Sequence, residues 1–136
     1  MKAIFEKHGA DVAFFLVYIR EAHAIDSRSP TSFGMVEDPI TDAERATVAG
    51  TCIKDLHLPM PALIDRVDDK VGKAYGGWPD RLYLVGTDGK IAYAGGQGPF
   101  NFDPDGWEQA IVAELAKANA TKTGDGKSPP KKEIIR

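Results

Sequence analysis

Apolar positions along the chain change period several times, and each change predicts an element. Met1, Ile4 and Phe5 fall at i, i+3 and i+4, with His8 and Gly9 behind them, which predicts the end of a helix with no N-cap ahead of it. Val12 to Ile19 is a continuous apolar run rich in aromatic and β-branched residues, and it predicts a strand covered on both faces, the kind found in parallel sheets. Glu21 to Pro39 has no period and holds Asp26, Ser27, Ser29, Pro30 and Gly34, the residues of a long irregular connection. Thr41 and Glu44 then form a capping box, and Ala49, Cys52, Ile53 and Leu56 repeat at helical spacing, which predicts an amphipathic helix over 42–57.

Pro59 and Pro61 bracket an extended segment ending at Leu63 and Ile64, and Val67, Val71 and Ala74 predict a short helix stopped by Gly76–Gly77. Two strand-like runs, Arg81–Val85 and Lys90–Ala94, flank Gly86-Thr87-Asp88-Gly89 and read as an antiparallel hairpin. Asp103 as N-cap and Pro104 at N1 open a last helix, with Trp107, Ala110, Ile111, Leu115 and Ala118 on one face. Alternation of helices and strands predicts an α/β fold, a mixed sheet with helices on both faces. After Asn119 the segment turns rich in Lys, Gly, Pro and Ser, so the domain is expected over 1–119 and a flexible tail over 120–136.

Composition narrows the function classes. The 136 residues are 43% hydrophobic and 27% charged, as expected of one globular domain. A net charge of −3 without a basic patch in the domain argues against a nucleic-acid partner. The longest apolar run, VAFFLVYI, is far below the ~20 residues of a membrane span, and MKAIFEKHG lacks a signal-peptide core, so no membrane partner is expected and the location is read as cytoplasmic or left open. Cys52 is the single cysteine, which excludes an internal disulfide and a CxxC couple. Its place on the apolar helix face reads as an inert hydrophobe. His8 and His57 are expected at helix C-termini, favoured there by the macrodipole. Cys52 and His57 lack the number and spacing of zinc ligands, so no metal is expected.

Four blocks carry a more specific signal. FLVYIREAH at 15–23, AER at 43–45, AYGGWPDRLYLV at 74–85 and GKIAYAGGQGPFNF at 89–102 together resemble the iodothyronine deiodinase family, in its order and spacing over roughly 1–116. The resemblance implies a thioredoxin-like fold and reductive removal of iodide from an iodinated phenol, with a thiol reductant and no bound cofactor. In that family the nucleophile, a selenocysteine or cysteine, lies in a loop between the first β-strand and the first helix. Met1–Gly9 resembles the end of that helix, so the first β-strand and the nucleophile are expected to be missing from this chain. Glu21 and His23 match residues associated with substrate handling and proton transfer. Pro79 matches the proline that faces the nucleophile, a position that is cis in thioredoxin-like folds. Pro39 stands where vertebrate members have a second histidine, and Gln97 replaces a basic residue in GGxGP.

Two functional readings follow. One is a deiodinase-type oxidoreductase, represented by a chain that is inactive for want of a nucleophile. The other is a non-enzymatic binding or assembly module on the same scaffold. Glu21, His23, Trp78 and Pro79 are expected to converge on one cleft, although Trp78 reads equally as cleft wall or core. Removal of the first strand would leave two strand edges unpaired, so a homodimer is expected.

Overall fold

The structure is a computed structural model that describes residues 1–31 and 35–124. Its elements are α1 (Lys2–His8), β1 (Leu16–Tyr18), α2 (Asp42–Asp55), β2 (Ala62–Ile64), α3 (Lys70–Tyr75), β3 (Tyr83–Val85), β4 (Ile91–Ala94) and α4 (Pro104–Gly124). The predicted order of elements is thus observed. Gly34 and residues 125–136 lie outside the described residues, and α4 carries residues 120–124, expected in the tail, as helix.

The strands do not form the expected single mixed sheet. Among the described residues β1 pairs only with β2, in parallel, and β3 pairs only with β4, antiparallel. The run over Val12–Ile19 yields a strand of only 3 residues, because β2 offers a ladder only from Ala62 to Ile64. It is not covered on both faces either: Phe15 is 58% exposed and Val17 40%, while Phe14 is buried. In a parallel ladder alternate residues bond to the same neighbour. Leu16 N–H donates to Pro61 O at 2.9 Å and Asp65 N–H to Tyr18 O at 2.8 Å, so the backbone of Val17 faces away from β2.

Aromatic packing joins the two sheets. Phe14 lies edge-on to Phe5 and to Trp107, with ring centroids 5.5 Å apart in both pairs. The Trp107 indole N–H donates to Tyr83 O at 2.8 Å, tying α4 to β3. Ile4, Met60, Leu82, Leu84 and Ile111 complete the buried cluster. At the other end of α1, His8 Nε2 lies 3.0 Å and Lys7 Nζ 2.7 Å from Glu108 Oε1. These two hydrogen bonds hold the Glu108 carboxyl below its ordinary range. His8 therefore links helices rather than only capping one.

Local signals explain the helix ends. In α2, Thr41 Oγ1 accepts from Glu44 N–H while the Glu44 carboxylate accepts from Thr41 N–H, as the capping box requires. The helix stops after Leu56, where His57 takes a left-handed φ of 50° and its Nδ1 lies 2.9 Å from Asp55 O. Gly76, at φ 56°, closes α3 as predicted.

Ile111 is fully buried and Ile91 is 54% exposed. Ile111→Ala is expected to lower the unfolding free energy by about 2–5 kcal/mol, and Ile91→Ala by about 1 kcal/mol or less, in urea titrations. Equal costs would mean that the core does not sit under α4.

Candidate functional site

The chain leaves the ladder at Ile19, and the residues that follow are fixed by polar contacts. Arg20 Nε donates to Asp38 Oδ2 at 2.8 Å, and Asp38 N–H donates to Asp26 Oδ1 at 2.9 Å. Asp26 and Asp38 are thereby held together beside the end of β1. Exposed His23 has Nδ1 2.9 Å from Ser29 O, a contact in which the neutral ring donates from Nδ1 and keeps Nε2 free to accept a proton.

Half-buried Glu21 sits between these groups. Burial raises its pKa, the Asp38 carboxylate raises it further, and Arg45 and His23 act in the opposite sense. Its carboxyl therefore holds a proton to higher pH than an ordinary glutamate. Cys52 on α2 also has a raised pKa, from burial first and then from Glu21 and Asp55, so its thiol stays protonated and a poor nucleophile.

Arg45, matched by the AER block, places the next wall. Its side chain is 2% exposed, and Nη1 donates to Arg66 O and to Asp69 Oδ1, both at 2.7 Å. A guanidinium so buried requires such partners, and they hold the connection from β2 to α3 against α2. Asp65, 3% exposed, accepts from Val71 N–H at 3.2 Å and Gly72 N–H at 2.7 Å, which fixes the first turn of α3.

The third wall is the loop after α3. The Trp78–Pro79 and Gly98–Pro99 peptides are both cis, the first as the resemblance implies. Gln97 Nε2 donates to Gly76 O at 3.2 Å and Trp78 O at 3.0 Å, and Gly98 N–H donates to Asp80 O at 2.9 Å. Arg81 Nε adds a bond of 2.6 Å to Gly95 O and sits over the Tyr83 ring, whose hydroxyl bonds Tyr75 O. The GGQGP and GGWPD segments are thus stitched together.

These walls enclose a cleft of about 380 Å³ lined by Ile19, Arg20, Asp69, Gly72, Lys73, Gly76, Trp78 and Gln97. Its lining is mainly apolar, and Trp78 is 50% exposed on its rim. Of the expected site residues, Trp78 lines the cleft. Glu21 follows directly on the lining residue Arg20, Pro79 follows on Trp78, and His23 lies further along the loop, held by Ser29. Arg20, Lys73 and Gln97 as lining residues were not anticipated. Asp69, Gly72, Lys73 and Gly76 fall at i, i+3, i+4 and i+7, a small and polar helix face that reads as solvated until β1 is placed beside it.

The raised pKa of Glu21 has a consequence for stability. A carboxyl whose folded pKa exceeds its unfolded value contributes stability fully present below the unfolded pKa and lost as pH rises through the folded one. Glu21→Gln removes that loss while Asp38, Arg45 and His23 remain in place. Urea unfolding should therefore show the wild type losing ground to Glu21→Gln as pH rises above the ordinary glutamate value. A difference that does not change with pH above that value would contradict the placement of Glu21.

No helix among the described residues is long and apolar enough to cross a membrane. Comparison with known proteins assigns the chain. Residues 1–113 match the family model described as iodothyronine deiodinase. The chain is 33% identical over 109 residues to the type II iodothyronine deiodinase of Homo sapiens, covering 75% of this chain and 39% of that protein. It is 34% identical over 90 residues to the type II enzyme of Petromyzon marinus, covering 64% of this chain and 31% of that protein. With the thyroxine 5-deiodinase of Rattus norvegicus it shares 30% identity over 109 residues, covering 80% of this chain and 33% of that protein. The chain spans at most about two fifths of the length of these curated relatives. On the match over 1–113 and these identities, the chain belongs to the iodothyronine deiodinase family.

Proposed function

We propose that the chain is the substrate-holding scaffold of a thioredoxin-like reductive deiodinase, and that the cleft at the end of β1 receives an iodinated phenol. The observation that carries this reading is the cleft itself. It lies between the end of β1 at Ile19–Arg20, α3 and Trp78, all inside the matched residues 1–113, and has the size and apolar lining of a small-ligand site.

The reaction is a two-electron reduction. A thiolate or selenolate takes the iodine as a chalcogen–iodine bond forms, the aryl carbon takes a proton, and two thiols then restore the nucleophile while releasing iodide and a disulfide. Glu21 and His23 are the proton-handling residues of this reading. The raised pKa of the Glu21 carboxyl supports a donor role, and the Nδ1 contact to Ser29 O leaves Nε2 of His23 available to interact with a nearby thiol. Cys52 does not fit the nucleophile's role, because its thiol is protonated and lies on α2. The 136-residue chain alone is therefore inactive.

A non-enzymatic assembly role is favoured by one observation, the strand edges without a partner. Each of the four strands has one edge without a ladder among the described residues, and Phe15 just before β1, Val17 on β1 and Val85 on β3 are exposed. Pairing of these edges with a second copy makes a homodimer.

With thyroxine or 3,5-diiodotyrosine and dithiothreitol, the chain is expected to release no iodide above the protein-free rate. Release that disappears in Cys52→Ser would overturn the inactive reading. A family-type strand and cysteine loop grafted ahead of Met1 should yield a thiol whose pKa rises on His23→Ala; a thiol indifferent to that substitution would remove His23 from the site. Light scattering on the 136-residue chain should give twice the chain mass, and a monomer mass in dilute solution would exclude edge pairing between copies.

A further inference from the structure

We infer that Lys73 makes the cleft selective for aromatic carboxylates. The inference rests on the reading of the cleft as the substrate site and names the charge that the substrate carries.

Charge balance within the lining carries the argument. Two lining residues besides Lys73 carry a formal charge, Arg20 and Asp69, and both are paired. Arg20 is paired with Asp38 at 2.8 Å, and Asp69 with Arg45 at 2.7 Å. Gln97 is neutral, and its amide nitrogen commits both protons to Gly76 O and Trp78 O. Lys73 differs: Nζ donates to the backbone carbonyl of Asp68 at 2.8 Å, while the Asp68 carboxylate is held by Lys70 Nζ at 3.1 Å. The ammonium is therefore the one lining charge without a carboxylate among the described residues, and it keeps two further N–H donors.

The rest of the lining suits a ring. Trp78 presents an indole that is 50% exposed, a surface on which a flat aromatic group stacks. Gly72 lets α3 lie close against Asp65, since a Cβ there would sit only 3.3 Å from Asp65 Oδ2, and it faces Ile19 Cγ2 at an ordinary contact distance of 3.6 Å. The two glycines Gly72 and Gly76 and the side chain of Ile19 leave room beside the indole. A planar ring between Ile19 and Trp78 brings a substituent at its edge toward the Lys73 ammonium, where a carboxylate gains a charge-assisted hydrogen bond that a neutral amide does not.

The test titrates the full chain with 3-iodobenzoate and with the neutral 3-iodobenzamide. It follows the Trp78 indole N–H in ¹H–¹⁵N spectra, assigned by Trp78→Phe. The benzoate is expected to bind about ten-fold more tightly than the amide. Lys73→Met should bring the two to within about two-fold, and Lys73→Arg should keep the preference. Because Lys73 is exposed on a surface helix, the variants should retain the wild-type spectrum elsewhere. Equal binding of both rings to the wild type, or a preference that survives in Lys73→Met, would overturn the role of Lys73 and leave the cleft as substrate site. If neither ring moves the Trp78 signal, the reading of the cleft fails and this inference fails with it.

Discussion

Trp107 is the contact on which the arrangement of the molecule depends. The two sheets share no ladder among the described residues, so no backbone hydrogen bond sets β1 relative to β3. Their relation is set by side chains: Phe14, at the entrance to β1, packs edge-on to Trp107, and the Trp107 indole donates to Tyr83 O in β3. An indole can do both because it combines a large apolar face with one donor at its rim. The placement of the hairpin relative to the end of β1 follows from this joint. Ile19 and Arg20 belong to one sheet's end, whereas Trp78 and Gln97 belong to loops stitched to the other hairpin.

Arg45 performs a related task at shorter range. Its buried guanidinium gathers two backbone carbonyls and the Asp69 carboxylate, and so fixes α3 beside β1. The capping box one residue before it sets the first turn of α2 and hence the direction from which Arg45 enters. Site geometry thus passes from a local sequence signal, through a helix terminus, to a buried cation, and then to the helix face that carries Lys73. Asp38 completes it, since it pairs with Arg20 and adds to the effect of burial in raising the pKa of Glu21.

The parts of this arrangement that were legible in the sequence are those governed by neighbouring residues. Thr41 with Glu44, Pro104 after Asp103, Gly76 after α3 and the Asp88–Gly89 turn each act within a few positions, and each appears where its residues place it. The parts that were not legible depend on partners distant in the chain. Val12–Ile19 has the composition of a doubly covered strand, yet strand length is set by the partner, and β2 supplies a ladder of 3 residues. His8 looked like a helix-end cation until Glu108, 100 residues later, arrived beside it. In the site, EAH and WP were visible as blocks, and Trp78 proved to line the cleft. Arg20 and Lys73 were not, because a charged residue on a short helix or at a strand end is ordinary until its neighbours and their charges are known.

The central claim is that an aryl iodide binds in the cleft beside Trp78. Iodine quenches indole emission at contact, and the chain has two tryptophans, of which Trp78 is 50% exposed and Trp107 is 7% exposed. Emission measured while 3,5-diiodotyrosine is added should fall along a saturating curve in the wild type, and Trp78→Phe, which leaves only Trp107, should show no saturable component. The same saturating curve in Trp78→Phe, or a strictly linear collisional decline in the wild type, would contradict the account.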